Sequence, residues 1–124
     1  MIVDAGFLIS VDRNERAAQE FLTAALRQNT RLHTTHPVVA KVWRSGSRQA
    51  RLASLLSAIT IHPFDSGVAV GALLARSRTS DVVDAHLVVL AVQLSQSILT
   101  GDPDDLNTLA SAVTKRRPNV YQWP

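Results

Sequence analysis

The segment from Val82 to Ser95 is apolar on nearly every face of the helix it predicts, and such a helix holds only when other elements cover it. Thr79-Ser80-Asp81 provides the start signal in front of it, because a short polar side chain can accept from the first free backbone N–H groups. Directly behind it, Ser97–Thr100 reads as a strand ending at Gly101-Asp102-Pro103. A buried helix feeding a strand suggests a parallel sheet covered on both faces. The rest of the chain repeats the alternation. Met1–Val3 is a strand emptying into a loop at Asp4-Ala5-Gly6, and a helix follows from about Asn14 to Gln28 with Ala18, Phe21, Leu22 and Ala25 at helical spacing. Arg31–Thr35 is a second strand, and His36-Pro37 opens a helix with proline in its first turn. After a break at Ser45-Gly46-Ser47 come a helix over Arg48–Ser57, a strand over Ala58–His62 and a helix over Asp65–Arg76. A last helix, Asp104–Val113, precedes an edge strand at Asn119–Tyr121. The expectation is one α/β domain over residues 1–124, three layers in α/β/α order, with a central parallel sheet of four to five short strands.

Composition narrows the chemistry. Apolar residues make up 46% of the 124 and aromatics only 5%, so the core is built from Val, Leu, Ile and Ala. The absence of cysteine excludes disulfides, thiolate metal ligands and a thiol nucleophile. It fits a reducing cytoplasm. No signal peptide is visible and no apolar run reaches the ~20 residues of a membrane span, so the expectation is a soluble, cytoplasmic protein with no membrane partner. The net charge is +3, but unevenly spread. No acid lies between Phe21 and Phe64, where Lys41, Arg44, Arg48 and Arg51 fall, while Asp81–Asp105 holds half of the ten acids. A basic region beside an acidic cluster suits a polyanion held against a cation site; a solvated helix face gives the same pattern.

In a doubly wound sheet, functional groups gather beyond the carboxyl ends of the strands, where strand order reverses. Asp4 follows the first strand, Asp102 follows Ser97–Thr100, and Asp84 sits in the first turn of the buried helix. Each has a structural account. Asp102 before Pro103 is a good helix start, Asp84 suits a helix dipole, and Asp4 can cap a turn. Independent caps, however, have no reason to meet on one rim. Asp81 reads as a cap. Oxygen ligands without cysteine or an organised histidine pair favour Mg²⁺ or Mn²⁺, ions suited to phosphodiester cleavage. His33, His36, His62 and His86 show no ligand spacing and read as structural or surface groups.

Met1-Ile2-Val3-Asp4-Ala5-Gly6 resembles the opening strand and first metal-binding acid of PIN domains. Asp84-Ala85-His86-Leu87 resembles the family's Asp-Ala-led helix, and Leu99-Thr100-Gly101-Asp102-Pro103-Asp104-Asp105 its segment with the fourth acid. The likeness covers nearly the whole chain and is greatest to the toxins of VapBC-type toxin–antitoxin pairs. It implies a Mg²⁺- or Mn²⁺-dependent endoribonuclease with Asp4, Asp84 and Asp102 as catalytic metal ligands, assisted by Asp104 or Asp105. On the substrate side it implies Arg44, Arg48 and Thr100, the last also holding its loop. It further implies an RNA substrate, a VapB-type antitoxin and a homodimer; the helices Asp65–Arg76 and Arg48–Ser57 carry apolar residues that a small domain would struggle to cover, so Leu52, Leu55, Leu73 and Leu74 are the candidates for that contact. One departure stands out. In Ala40-Lys41-Val42-Trp43-Arg44, Lys41 occupies the place of the family's second acid, a glutamate. A charge pair at ~4 Å with an effective dielectric of about 20 is worth on the order of 4 kcal/mol, so the exchange bears directly on metal affinity. The alternative is a catalytically weak PIN domain that binds RNA or antitoxin without cleaving. A flavodoxin-like regulatory domain is more distant, since the acid pair expected after the first strand is absent.

Overall fold

A computed structural model describes residues 1–124. Five strands form one wholly parallel sheet: β1 (Ile2–Val3), β2 (His33–Thr35), β3 (Thr60–His62), β4 (Ile98–Thr100) and β5 (Val120–Gln122), in the order β3-β2-β1-β4-β5. The chain winds outward from β1 to β2 and β3, then crosses to β4 and β5. The order therefore reverses between β1 and β4, where Ile2 pairs with Ile98 and Val3 with Leu99. The fold is α/β/α, as the alternation predicts.

Seven helices cover the sheet. One group consists of α1 (Ala5–Asp12), α2 (Arg16–Arg27), α3 (His36–Val42) and α4 (Ala50–Ala58), and the other of α5 (Gly67–Ser77), α6 (Val82–Leu94) and α7 (Pro103–Ser111). In α6, Ala85 through Val88, Leu90 and Ala91 are all buried, which is how a helix without a polar face is accommodated. The core joins Ile2 and Val3 to Phe7, Leu8, Leu87 and Leu106. Phe7, Phe21 and Trp123 meet edge to face, with centroids 4.9 to 5.6 Å apart, a geometry favoured by the ring quadrupoles. No helix is long and apolar enough to cross a membrane.

Two expectations need correction. The chain does not loop after β1; it enters α1 at once, capped by Asp4, whose carboxylate accepts from the Gly6 N–H at 2.9 Å. The segment AGFLISVD gives no amphipathic period because Phe7, Leu8, Ser10 and Val11 are all buried, so the signal that marks α2 is missing. Leu52 and Leu73, expected at a dimer contact, are 0% and 1% exposed within the single chain. They belong to the core and cannot meet a partner.

Leu73→Ala should therefore act on folding rather than on assembly. Truncating a fully buried leucine costs about 2–5 kcal/mol, so the urea midpoint of the variant should fall sharply. An unchanged midpoint with altered mass in light scattering would return Leu73 to an interface.

Candidate active site

The reversal point between β1 and β4 is where loops diverge and leave a crevice. A cavity of about 360 Å³ opens there, and Asp4, Lys41, Asp81, Asp84, Asp102 and Asp105 all line it. A larger groove of about 570 Å³ lies between α2 and α4, but Glu15 and Arg51 are its only charged residues. Acid chemistry points to the smaller cavity.

Asp4 is 8% exposed, and a carboxylate at that depth needs donors. One oxygen takes the Gly6 N–H at 2.9 Å. The other takes the Thr100 hydroxyl and the Gly101 N–H, the latter at 3.3 Å. Thr100 accepts in turn from the Asp102 N–H at 2.9 Å. Thr100 is 0% exposed, so it orders the two aspartates instead of facing a substrate. Gly6 is required by close approach: a Cβ there would lie 3.2 Å from the Gly101 Cα, so any side chain would push the β4–α7 turn away from Asp4.

Asp84 stands in the first turn of α6, and Asp81 caps that helix by accepting the Asp84 N–H at 3.0 Å. Burial and the neighbouring Asp81 carboxylate push Asp84 up to about 6; Asp4 and Asp105 add to the rise and Lys41 opposes it. A hydrogen bond with Asp102, together with its negative charge, holds Asp105 above the ordinary range. At both residues neighbouring carboxylates add to these leading causes, burial at Asp84 and the hydrogen bond at Asp105. Asp102 begins α7 with no side-chain cap bond, and its carboxylate lines the cavity beside that of Asp105.

The structure thus brings Asp4, Asp84 and Asp102 together from three elements and adds Asp105. Asp104 does not line the cavity. Arg44 and Arg48 do not line it either; Arg44 turns its guanidinium onto the carbonyls of Ala40 and Trp43 at 3.0 and 2.6 Å. Lys41 does line it, and the chain's one side-chain ion pair is Arg16–Glu20, so Lys41 has no direct carboxylate partner. Sequence reading missed the histidine pair, in which His33 Nδ1 lies 2.9 Å from His62 Nε2 across β2 and β3. Register supplies the contact, and no spacing rule could have found it.

Whether a dication suits this site turns on its donors. Carboxylate oxygens are the ligands a hard ion takes, and burial with the neighbouring carboxylates disfavours the charged form of Asp84, which a cation would offset. No three of the acids already stand in a coordinating arrangement, so an ion would have to draw them inward. The donor chemistry fits, while the spacing of the acids and the Lys41 ammonium oppose it.

Comparison with known proteins agrees with this fold. The family model described as "PIN domain" matches residues 1–111. VapBC2 from Rickettsia felis, solved bound to a DNA fragment from its promoter, includes a chain that superposes with a TM-score of 0.72 at 13% identity, covering 99% of this chain and 98% of that one. No curated protein matches.

The pH dependence follows from Asp84. Its folded value of about 6 lies above the ordinary 3.8, so between those limits the folded chain binds the extra proton. That contribution to stability is present at the acid end of the window and lost as pH rises towards 6. Urea midpoints of wild type relative to Asp84→Asn should therefore fall between pH 4 and pH 7 without added metal. A constant difference across that range would contradict the raised value.

Proposed function

Since the chain belongs to the PIN domain family, whose members are generally nucleases, we propose that it is a Mg²⁺- or Mn²⁺-dependent endoribonuclease, the toxin of a VapBC-type pair. The observation that carries this reading is the convergence of Asp4, Asp84 and Asp102 on one cavity at the sheet's reversal point. When bound there, a dication would activate water and offset charge on the scissile phosphate. The chain's own residues prepare the site. Thr100, Gly6 and Gly101 fix the Asp4 carboxylate, so this one ligand is held in place while the other acids would close on an ion. With its value at about 6, Asp84 is mostly ionised near neutrality, and positive charge entering the cavity favours that form further.

The partners belong to the same reading. A VapB-type antitoxin is inferred from the likeness to a chain solved as part of a VapBC complex. A short amphipathic antitoxin segment suits the groove of about 570 Å³ between α2 and α4, where Leu22 and Leu55 offer apolar contact and Glu15 and Arg51 one charge of each sign. A homodimer is also proposed, with Leu55 and Leu74 left from the expected contact because each keeps partial exposure.

Lys41 supports a second reading, a PIN domain that binds RNA or antitoxin and cleaves weakly. Its ammonium lines the cavity and already lowers the Asp84 value, as a metal would.

Incubation of RNA with the purified protein in Mg²⁺, Mn²⁺ or EDTA tests the first reading. Cleavage should need the dication, and Asp4→Asn or Asp84→Asn should reduce it on the order of a hundredfold. Cleavage that persists in EDTA or survives both substitutions would contradict it. Lys41→Glu then separates the readings. If the ammonium only opposes the ion, Mn²⁺ affinity and cleavage should rise together, several-fold or more. If Lys41 neutralises phosphate charge, affinity should rise while cleavage falls. No change in either would place Lys41 outside the chemistry.

A further inference from the structure

Three residues that line the acid cavity, Asp81, Asp84 and Asp105, also line a second cavity of about 240 Å³. Neither the α2–α4 groove nor the cavity between α5 and α6 shares a residue with the acid cavity. Cavities with three lining residues in common adjoin, so a polymer held by one phosphate in the first has its neighbouring unit within reach of the second. The approach to α6 and one face of α7 build this second space. Thr79 and Ser80 precede the Asp81 cap. Asp105, Thr108 and Leu109 stand at i, i+3 and i+4 of α7, the spacing of side chains that share a helix face. Leu109, 2% exposed, is the one apolar residue of the lining.

The hydrogen-bonding inventory decides what such a cavity accepts. No lysine or arginine lines it, and three carboxylates oppose a phosphate there. The Thr108 hydroxyl donates to the Asp104 carbonyl at 3.0 Å, which leaves it lone pairs alone to offer. Asp81 uses Oδ1 on the Asp84 N–H, and its Oδ2 has no partner within the chain. The Thr79 hydroxyl is engaged with that of Ser77 at 2.8 Å. Ser80 keeps an unengaged hydroxyl and is the donor that remains. Acceptors with one donor beside them match an amino group next to a ring nitrogen. Cytosine and adenine carry that pair on the edge that an unstacked base exposes. Uracil would set a carbonyl oxygen against the acceptors.

We propose that this cavity is a base subsite for single-stranded RNA. Asp81 and Thr108 accept from the exocyclic amino group of a cytosine or adenine, and Ser80 donates to the ring nitrogen beside it. The subsite rests on the nuclease reading for its place next to the scissile phosphate, and adds to that reading a base preference.

Cytidine and uridine oligomers share backbone and ring size, so the ratio of their affinities isolates the base edge. Fluorescence anisotropy of labelled oligo(rC) and oligo(rU) of equal length, in EDTA, measures it. Wild type should hold oligo(rC) on the order of tenfold more tightly. Asp81→Asn still caps α6 through its carbonyl oxygen, while an NH₂ group takes the place of Oδ2. The preference should therefore vanish or invert. Loss of the negative charge strengthens both affinities alike and leaves the ratio to report the edge. Thr108→Val, close to threonine in shape, should also bring the ratio towards one, and it decides the matter if Asp81→Asn unfolds. A wild-type ratio near one, or a ratio that survives these substitutions, would overturn the subsite. Absence of binding to either oligomer would overturn it too. Cleavage in Mg²⁺ without a cytidine preference would sink the subsite and leave the nuclease reading standing. A cytidine preference without cleavage would uphold the base contacts and overturn the nuclease reading.

Discussion

A carboxylate taken out of water must be met by donors, and Asp4 is met by three. Thr100 supplies a hydroxyl, and Gly6 and Gly101 supply backbone N–H groups. These bonds join the start of α1 to the end of β4 across the sheet's reversal point, so one buried charge ties together the two loops that form the crevice. The small residues around it follow from the same demand. Gly6 and Gly101 pass close enough that a Cβ on Gly6 would lie 3.2 Å from its neighbour. The helix dipole adds to the effect, since an anion at the head of α1 is favoured by its unpaired N–H groups.

With Asp4 fixed, the remaining acids fall under electrostatic tension. Asp84 and Asp102 arrive from the heads of α6 and α7, Asp81 and Asp105 lie beside them, and Lys41 is the only cation lining the cavity. Burial first, and then the neighbouring carboxylates, raise Asp84, with only Lys41 opposing the rise. A cavity so charged can take up protons, a lysine ammonium or a hard dication. Competition among the three sets its chemistry, and the proposed nuclease activity depends on the dication prevailing.

Much of this was readable in the residues. Helix α6 betrayed its burial by lacking a polar face, and Asp81 read correctly as its cap because the spacing to Asp84 is local. Strand ends marked by Asp4 and Asp102 placed the rim. What escaped was non-local or aperiodic. Helix α1 is buried on too many sides to show a period, and Leu52 and Leu73 looked like surplus apolar surface although both are buried within the single chain. Thr100 read as a substrate residue, yet its hydroxyl belongs to Asp4. Gln49 read as part of the helix over Arg48–Ser57, yet it precedes α4 and makes four bonds, to Asp12, Val42, Arg44 and Ser45, that leave no trace in a linear pattern.

The central claim is that the acids at the reversal point close on a dication. Crystals grown or soaked with Mn²⁺ and measured for anomalous scattering test it most directly. The account predicts a peak within about 2.2 Å of carboxylate oxygens from Asp4, Asp84 and Asp102, with the Lys41 ammonium displaced from them. A cavity without a peak and with the Lys41 ammonium seated among the three carboxylates would contradict it.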